Sequence, residues 1–217
     1  MAALRALVDR SAQQPPLDGK HDAFFYGTLI HPAVLRRIIG RACDLPVSLA
    51  ILPGYTAQRV HHAEYPALVS LPDLPDLLAK SNRNSHSYTR GVLVKGLSAA
   101  DVLALDTFEG DEYARTAVEL IDLGNPQAND ERLLESLPTL FEHLTSERVI
   151  PLIAQHREAV RNVRNGSAQR AESVPAIGTM TVAHTYVWRG DPASETAWEW
   201  QTFVKQHAHR WVSGERN

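Results

Sequence analysis

Two short segments carry side chains whose types and spacing could do chemistry. The first is Tyr26-Gly27-Thr28-Leu29, between a strand candidate (Ala23 to Tyr26) and a helix opening at Pro32. At such a junction the backbone N–H groups have no partner within the secondary structure. Several can converge on an anion, helped by the dipole at the helix N-terminus. Gly27 would let a ligand approach the backbone closely. A tight strand-to-helix turn that needs Gly for steric reasons accounts for the same residues. The second segment runs from Leu105 to Arg115 and reads LDTFEGDEYAR. It places acidic side chains at the C-terminal end of a helix, where the dipole's negative end disfavours them. An acid held there, partly buried beside Phe108, is expected to have its pKa raised above the usual value of about 4.3. A raised carboxyl pKa is what a proton shuttle near neutral pH needs. An exposed acidic helix end followed by a Gly cap is the alternative. On the following strand Tyr113 and Arg115 face the same side, because side-chain direction has period two.

Other chemistries lack their residues. The chain contains no GxxxxGK[ST], GxGxxG or GxSxG segment. His61-His62 and His207-x-His209 are not spaced as metal ligands on a helix, so neither a metal nor a cofactor is expected. Cys43, the single cysteine, has no evident activating partner. It excludes an intramolecular disulfide framework and a Cys-rich zinc site.

The 217 residues are 44% hydrophobic and 22% charged, with a formal net charge of -3. That length suits one domain with a core of its own. The weakly acidic balance, without a dense basic run, argues against a nucleic-acid partner. No apolar run approaches the ~18 residues of a membrane span. Residues 1–16 lack the apolar stretch of a secretory signal. A reduced thiol and no signal lead to the expectation of a cytoplasmic protein without a membrane partner.

The elements that must position these segments follow from pattern and punctuation. Residues 1–20 read as an N-terminal extension. Residues 21–217 read as one domain. Pro32 opens a helix with Val34, Leu35, Ile38 and Ile39 on one face, and Gly40 stops it. Val47 to Leu52 and Tyr55 to Val60 are strands divided by Pro53-Gly54, and Ala67 to Leu71 is another. Pro72 to Thr89 reads as loop, and Gly91 to Leu97 as strand. Ser98 caps a helix from Ala99 to Phe108, with Gly110 at its end. Tyr113 to Leu123 and Thr179 to Trp188 are strands. Between them, residues 124–178 are polar, with helical stretches from Glu131 to Leu144, broken near Pro138, and from Glu147 to Arg164. They read as an insertion outside the core that could be excised. Ser194 is expected to cap a final helix with Trp200, Phe203, Val204, His207 and Trp211 along one stripe. Many short strands with few helices between them predict an α+β fold around a small, mixed but mostly antiparallel β-barrel flanked by helices.

In their order and spacing these segments resemble the gamma-glutamylcyclotransferase superfamily, in particular its plant and fungal avirulence-induced-gene-like branch. The residues that carry the resemblance are FFYGTL at 24–29, EYPA at 64–67, RGVLVKGL at 90–97, LDTFEGDEYARTAV at 105–118 and HTYVW at 184–188. It extends over roughly residues 22–123 and 179–212. The long stretch from 124 to 178 and the N-terminal extension depart from the family pattern.

The resemblance implies a small β-barrel with a pocket at its mouth, and a gamma-glutamyl small molecule as substrate. Tyr26, Gly27, Thr28 and Leu29 would hold its α-carboxylate end. Glu109 would be the catalytic acid/base, and Tyr113 would line the pocket. The reaction implied is attack of the α-amine on its own side-chain amide, releasing 5-oxoproline without cofactor or metal. A catalytically idle protein that binds or senses an amino-acid-like ligand is the alternative. Glu109 argues against it, because a binder of a carboxylate has no use for a second carboxylate beside it.

Overall fold

The computed structural model describes residues 19–40, 45–70, 88–124, 131–164, 178–190 and 198–214. The strands are β1 (His21–Phe25), β2 (Val47–Pro53), β3 (Tyr55–Arg59), β4 (Pro66–Ser70), β5 (Tyr88–Leu97), β6 (Tyr113–Asp122) and β7 (Thr179–Trp188). The helices are α1 (Pro32–Ile39), α2 (Ala99–Glu109), α3 (Glu131–His143), α4 (Ser146–Arg164), α5 (Trp200–Gln206) and α6 (Ala208–Ser213). Strands β1, β5, β2, β6 and β7, in that order, form a closed barrel. Every pairing in it is antiparallel except the closing contact between β1 and β7. This is the predicted mixed, mostly antiparallel barrel flanked by helices. Among the described residues no helix is long and apolar enough to cross a membrane.

Period-two alternation divides the barrel's apolar residues into two sets. Phe24, Ala50, Leu52, Leu93, Val118, Leu120 and Ala183 form one buried cluster, which fills the barrel interior. Ala23, Phe25, Val47, Leu49, Val92, Val94 and Tyr186 belong to a second cluster on the outer face, beneath the helices. Val34 and Leu35 of α1, Val102 and Leu105 of α2, and Phe203 and Trp211 of α5 and α6 belong to it as well.

Local signals explain the two helices that frame the site. His31 caps α1, its Nδ1 accepting from the Ala33 amide, and Pro32 occupies the first turn. At α2, Ser98 and Asp101 form a reciprocal capping box. Gly110, at φ 64°, turns the chain out of α2 by a backbone conformation that residues with a Cβ rarely adopt.

Apart from shifts of one or two residues at element ends, three elements differ from the sequence expectation. Tyr88 and Thr89 extend β5 instead of ending a loop, because they pair with Pro53 and Leu52. Helix α3 runs unbroken through Pro138. Its flank is held by Leu133 and Leu137, both buried in the main core, and that burial outweighs the helix-breaking tendency of proline. The final helix is two helices, broken at His207. There Nδ1 of His207 lies 3.1 Å from a carboxylate oxygen of Glu64. Ser194, Cys43 and most of the N-terminal extension lie outside the described residues.

The described helices of the stretch 124–178 each bury an apolar face. Leu133 and Leu137 of α3 enter the main core, and Val149 and Ile153 of α4 pack on Ile51 and Ile121 of the barrel. Arg90 of β5 donates from a guanidinium nitrogen to the Phe141 carbonyl (2.8 Å), and the Tyr88 hydroxyl donates to the Leu144 carbonyl (3.0 Å). Mean composition concealed this, because an amphipathic helix averages a polar face with a buried one. The described helices of this stretch therefore pack on the barrel, contrary to the expectation of an excisable insertion outside the core.

Candidate functional site

A cavity of about 400 Å³ opens where β1 ends, α2 ends and β6 begins. Tyr26, Gly27, Thr28, Leu29, Glu109 and Tyr113, the six residues singled out in the sequence, all line it. They come from two segments some eighty residues apart, brought together because β1 and β6 both flank β7 in the barrel.

The Tyr26–Leu29 segment leaves β1 and makes a single 3₁₀ turn over Thr28–Ile30. The Ile30 amide donates to the Gly27 carbonyl (3.0 Å) and that of His31 to Thr28 (3.1 Å). The amides of Gly27, Thr28 and Leu29 precede these bonds, and among the described residues no backbone carbonyl takes them. Amides at the start of a helical turn are the groups that the sequence expectation assigned to an anion. Gly27 has a steric reason as well. A Cβ built there would lie 2.6 Å from Cγ of Pro66. Gly27→Val is therefore expected to push against β4, lowering the thermal midpoint as well as weakening ligand binding. A Gly27→Val protein with wild-type melting and affinity would show that neither the Pro66 contact nor backbone access matters.

Glu109 is the last residue of α2, and four phenols surround its charge. Burial raises the pKa of Tyr26 well above the usual phenol value, and the charge of Glu109 adds to it. Burial likewise raises Tyr113 and Tyr186, with Glu109 a further contributor to each. Tyr65 is raised by burial and then by Glu112. All four are thus neutral hydrogen-bond donors near neutral pH. Tyr26 donates to the Tyr186 carbonyl (2.6 Å), Tyr113 to the Pro66 carbonyl (2.8 Å), Tyr186 to Oδ1 of Asp106 (2.8 Å) and Tyr65 to Oε2 of Glu112 (3.1 Å). These bonds fix the orientation of the rings that form the cavity wall.

Tyr65, Glu112, Tyr186, Phe108 and Trp211 also line the cavity but were not singled out as site residues. A period-two signal was available for Tyr186, which belongs to the outward-facing set of β7. Nothing local marks Trp211. It arrives on α6, where its indole N–H donates to Oε2 of Glu64 (2.8 Å). Arg210 pairs with the other oxygen of the same carboxylate, and Trp198 donates to the Glu64 carbonyl (3.0 Å). Glu64 thereby ties the C-terminal helices to the residue beside Tyr65, and the two aromatic rings meet edge to face.

A second titratable cluster lies along the same outer face of the barrel. His184 of β7 stacks on His21 of β1, with ring centroids 5.6 Å apart. Burial holds His184 below the usual histidine value of 6.5, as do the charges of Arg115 and His21, against the opposing Asp106 and Asp22. The unfolded chain protonates this group at a pH where the folded protein keeps it neutral. Its contribution to stability is therefore complete above about pH 6.5 and is lost as pH falls below that towards the folded pKa. The thermal midpoint of the wild type is expected to fall more steeply between pH 7.5 and 5.5 than that of His184→Gln. Parallel slopes would remove His184 from the acid response.

Comparison with known proteins places these residues in context. The family model described as "Gamma-glutamyl cyclotransferase, AIG2-like" matches residues 23–133, just over half of the chain. Two curated relatives from Arabidopsis thaliana match a similar stretch. Protein AIG2 C is 28% identical over 107 residues, covering 49% of this chain and 56% of its own length. AIG2-like protein C is 35% identical over 107 residues, covering 48% and 54%. The chain thus spans about half the length of these relatives. Among solved structures, an Arabidopsis thaliana protein studied in solution overlays with a TM-score of 0.48 at 20% identity, over 93% of this chain and 81% of its own. A yeast gamma-glutamyl cyclotransferase described as specific to glutathione gives 0.44 at 12% identity, over 90% and 88%.

Proposed function

Because the chain belongs to the gamma-glutamyl cyclotransferase, AIG2-like family, we propose that it releases 5-oxoproline from a gamma-glutamyl amide. One observation carries the reading: Glu109 and the turn residues Gly27, Thr28 and Leu29 line one cavity. The amides would hold the substrate's α-carboxylate at one end, leaving its α-amine and side-chain amide towards Glu109. Glu109 would take a proton from the α-amine as that nitrogen attacks the side-chain carbonyl carbon. It would return the proton to the departing nitrogen as the original amide C–N bond breaks. The nucleophile is tethered to its target, so the protein mainly holds a productive conformer and moves a proton. The four neutral phenols, each held by its own hydrogen bond, would keep the reacting groups in a fixed surround.

The finer placement in the plant and fungal avirulence-induced-gene-like branch belongs to the same proposal. So do a cytoplasmic setting and the absence of nucleic-acid and membrane partners. No metal is required by the scheme, and among the described residues no group of three His, Cys, Asp or Glu could hold one. The test is incubation with glutathione, a gamma-glutamyl dipeptide and a gamma-glutamyl amine, each with and without EDTA. Released 5-oxoproline is measured by mass spectrometry. Production from at least one compound, unaffected by the chelator, is expected. No 5-oxoproline from any of them would refute the reaction for these substrate types.

A further inference from the structure

Glu109 occupies a difficult place. It ends a helix, and helix ends fray. Its charge faces the negative end of the helix dipole, and the last turn of α2 contains no basic residue. A proton shuttle that must stay within hydrogen-bond reach of a small substrate needs that turn held still.

The residue one turn earlier makes three ties. Asp106 accepts the Gly110 amide on its carbonyl, closing the end of α2. Oδ1 of its side chain accepts from the Tyr186 hydroxyl of β7 at 2.8 Å. The same oxygen lies 3.0 Å from Nε of Arg115 on β6, whose side chain is 2% exposed. Arg115 brings to the end of α2 the positive charge that the helix itself lacks. Tyr186 extends the connection across the cavity, because its own carbonyl accepts the Tyr26 hydroxyl at 2.6 Å.

We propose that Asp106 is the positioning residue of this site: joined to Arg115 and Tyr186, it clamps the last turn of α2 to two barrel strands and so fixes Glu109 in the cavity. The consequence for turnover rests on the reaction proposed above; the clamp itself does not. Asp106 touches no reacting atom in this scheme. Its loss should lower kcat and leave KM nearly unchanged, because the Tyr26–Leu29 amides that would hold the substrate belong to a different element.

The experiment has two readouts in the full chain. Amide hydrogen exchange followed by NMR reports the clamp without any substrate. In Asp106→Asn and in Tyr186→Phe, Gly110 is expected to lose protection about tenfold or more, while Leu35 in α1 keeps its own. Asp106→Asn removes the carboxylate that lies 3.0 Å from the buried Arg115. Tyr186→Phe keeps the ion pair and the ring, so it serves as the milder variant if the first does not fold. Unchanged Gly110 protection in a folded variant would overturn the proposal. The second readout is 5-oxoproline release from whichever compound of the panel is turned over. A small displacement of a catalytic group costs on the order of tenfold to a hundredfold. Each variant should therefore lower kcat at least tenfold with KM within about twofold. In a Glu109→Gln background the same substitution should lower kcat no further, because there is no shuttle left to position. An equal loss in both backgrounds would overturn action through Glu109. Inactivity of the wild type on the whole panel would refute the proposed reaction, and the exchange measurement would still decide the clamp.

Discussion

Glu109→Gln is expected to lower 5-oxoproline release by at least ~10²-fold without unfolding the protein. The substitution keeps the side chain's size and most of its hydrogen-bonding capacity. It removes the proton acceptor. The α-amine of a gamma-glutamyl compound has a reference pKa of about 7.7–8.0, so much of the substrate arrives protonated at neutral pH and needs a base before it can attack. Stability should hold, since the charge removed sits at a helix C-terminus that contains no basic residue in its last turn. Ligand affinity should hold as well, because the α-carboxylate is assigned to the Tyr26–Leu29 turn on a different element. Thermal midpoint, affinity and turnover measured on one preparation separate these effects. A Glu109→Gln protein that turns over within a few-fold of wild type would sink the mechanism.

Removal of the stretch between Gly124 and Gly178 is expected to leave a protein that is unfolded or insoluble at 25 °C. Four side chains decide this. Leu133, Leu137, Val149 and Ile153 are each at most 2% exposed, and they pack on the barrel's outer face and on α1. Burying one such side chain contributes ~1.5–3 kcal/mol, so the four together contribute about 6–12 kcal/mol. A domain's whole stability is about 5–15 kcal/mol. The excision would also expose Ile51 and Ile121. A milder version of the experiment is Leu137→Ala, which should cost ~2–5 kcal/mol in denaturant unfolding. A shortened chain that melts cooperatively near the wild-type midpoint would show that these contacts are dispensable.

Much of the architecture was readable from local punctuation. Pro32 and Gly40 bounded α1, Ser98 and Gly110 bounded α2, and alternation located β6 and β7. Those signals are chemical properties of single residues and near neighbours, so they survive in a sequence without its fold. The same holds for the site's two chemical ingredients, the turn at Tyr26–Leu29 and the acid at Glu109. That they line a single cavity was suggested only by resemblance, since no local rule relates β1 to the end of α2. Closure of the barrel decided it, by setting β1 and β6 on either side of β7. Tertiary structure also decided what composition hid. The buried faces of α3 and α4 disappear in an average over a polar stretch. The break at His207 comes with contacts to Glu64, more than a hundred positions away in the chain. The clearest case is the acidic end of α2. By its own sequence it lacks a compensating positive charge. The fold provides one from a neighbouring strand, Arg115 against Asp106, because an ion pair depends on distance in space and not on separation along the chain.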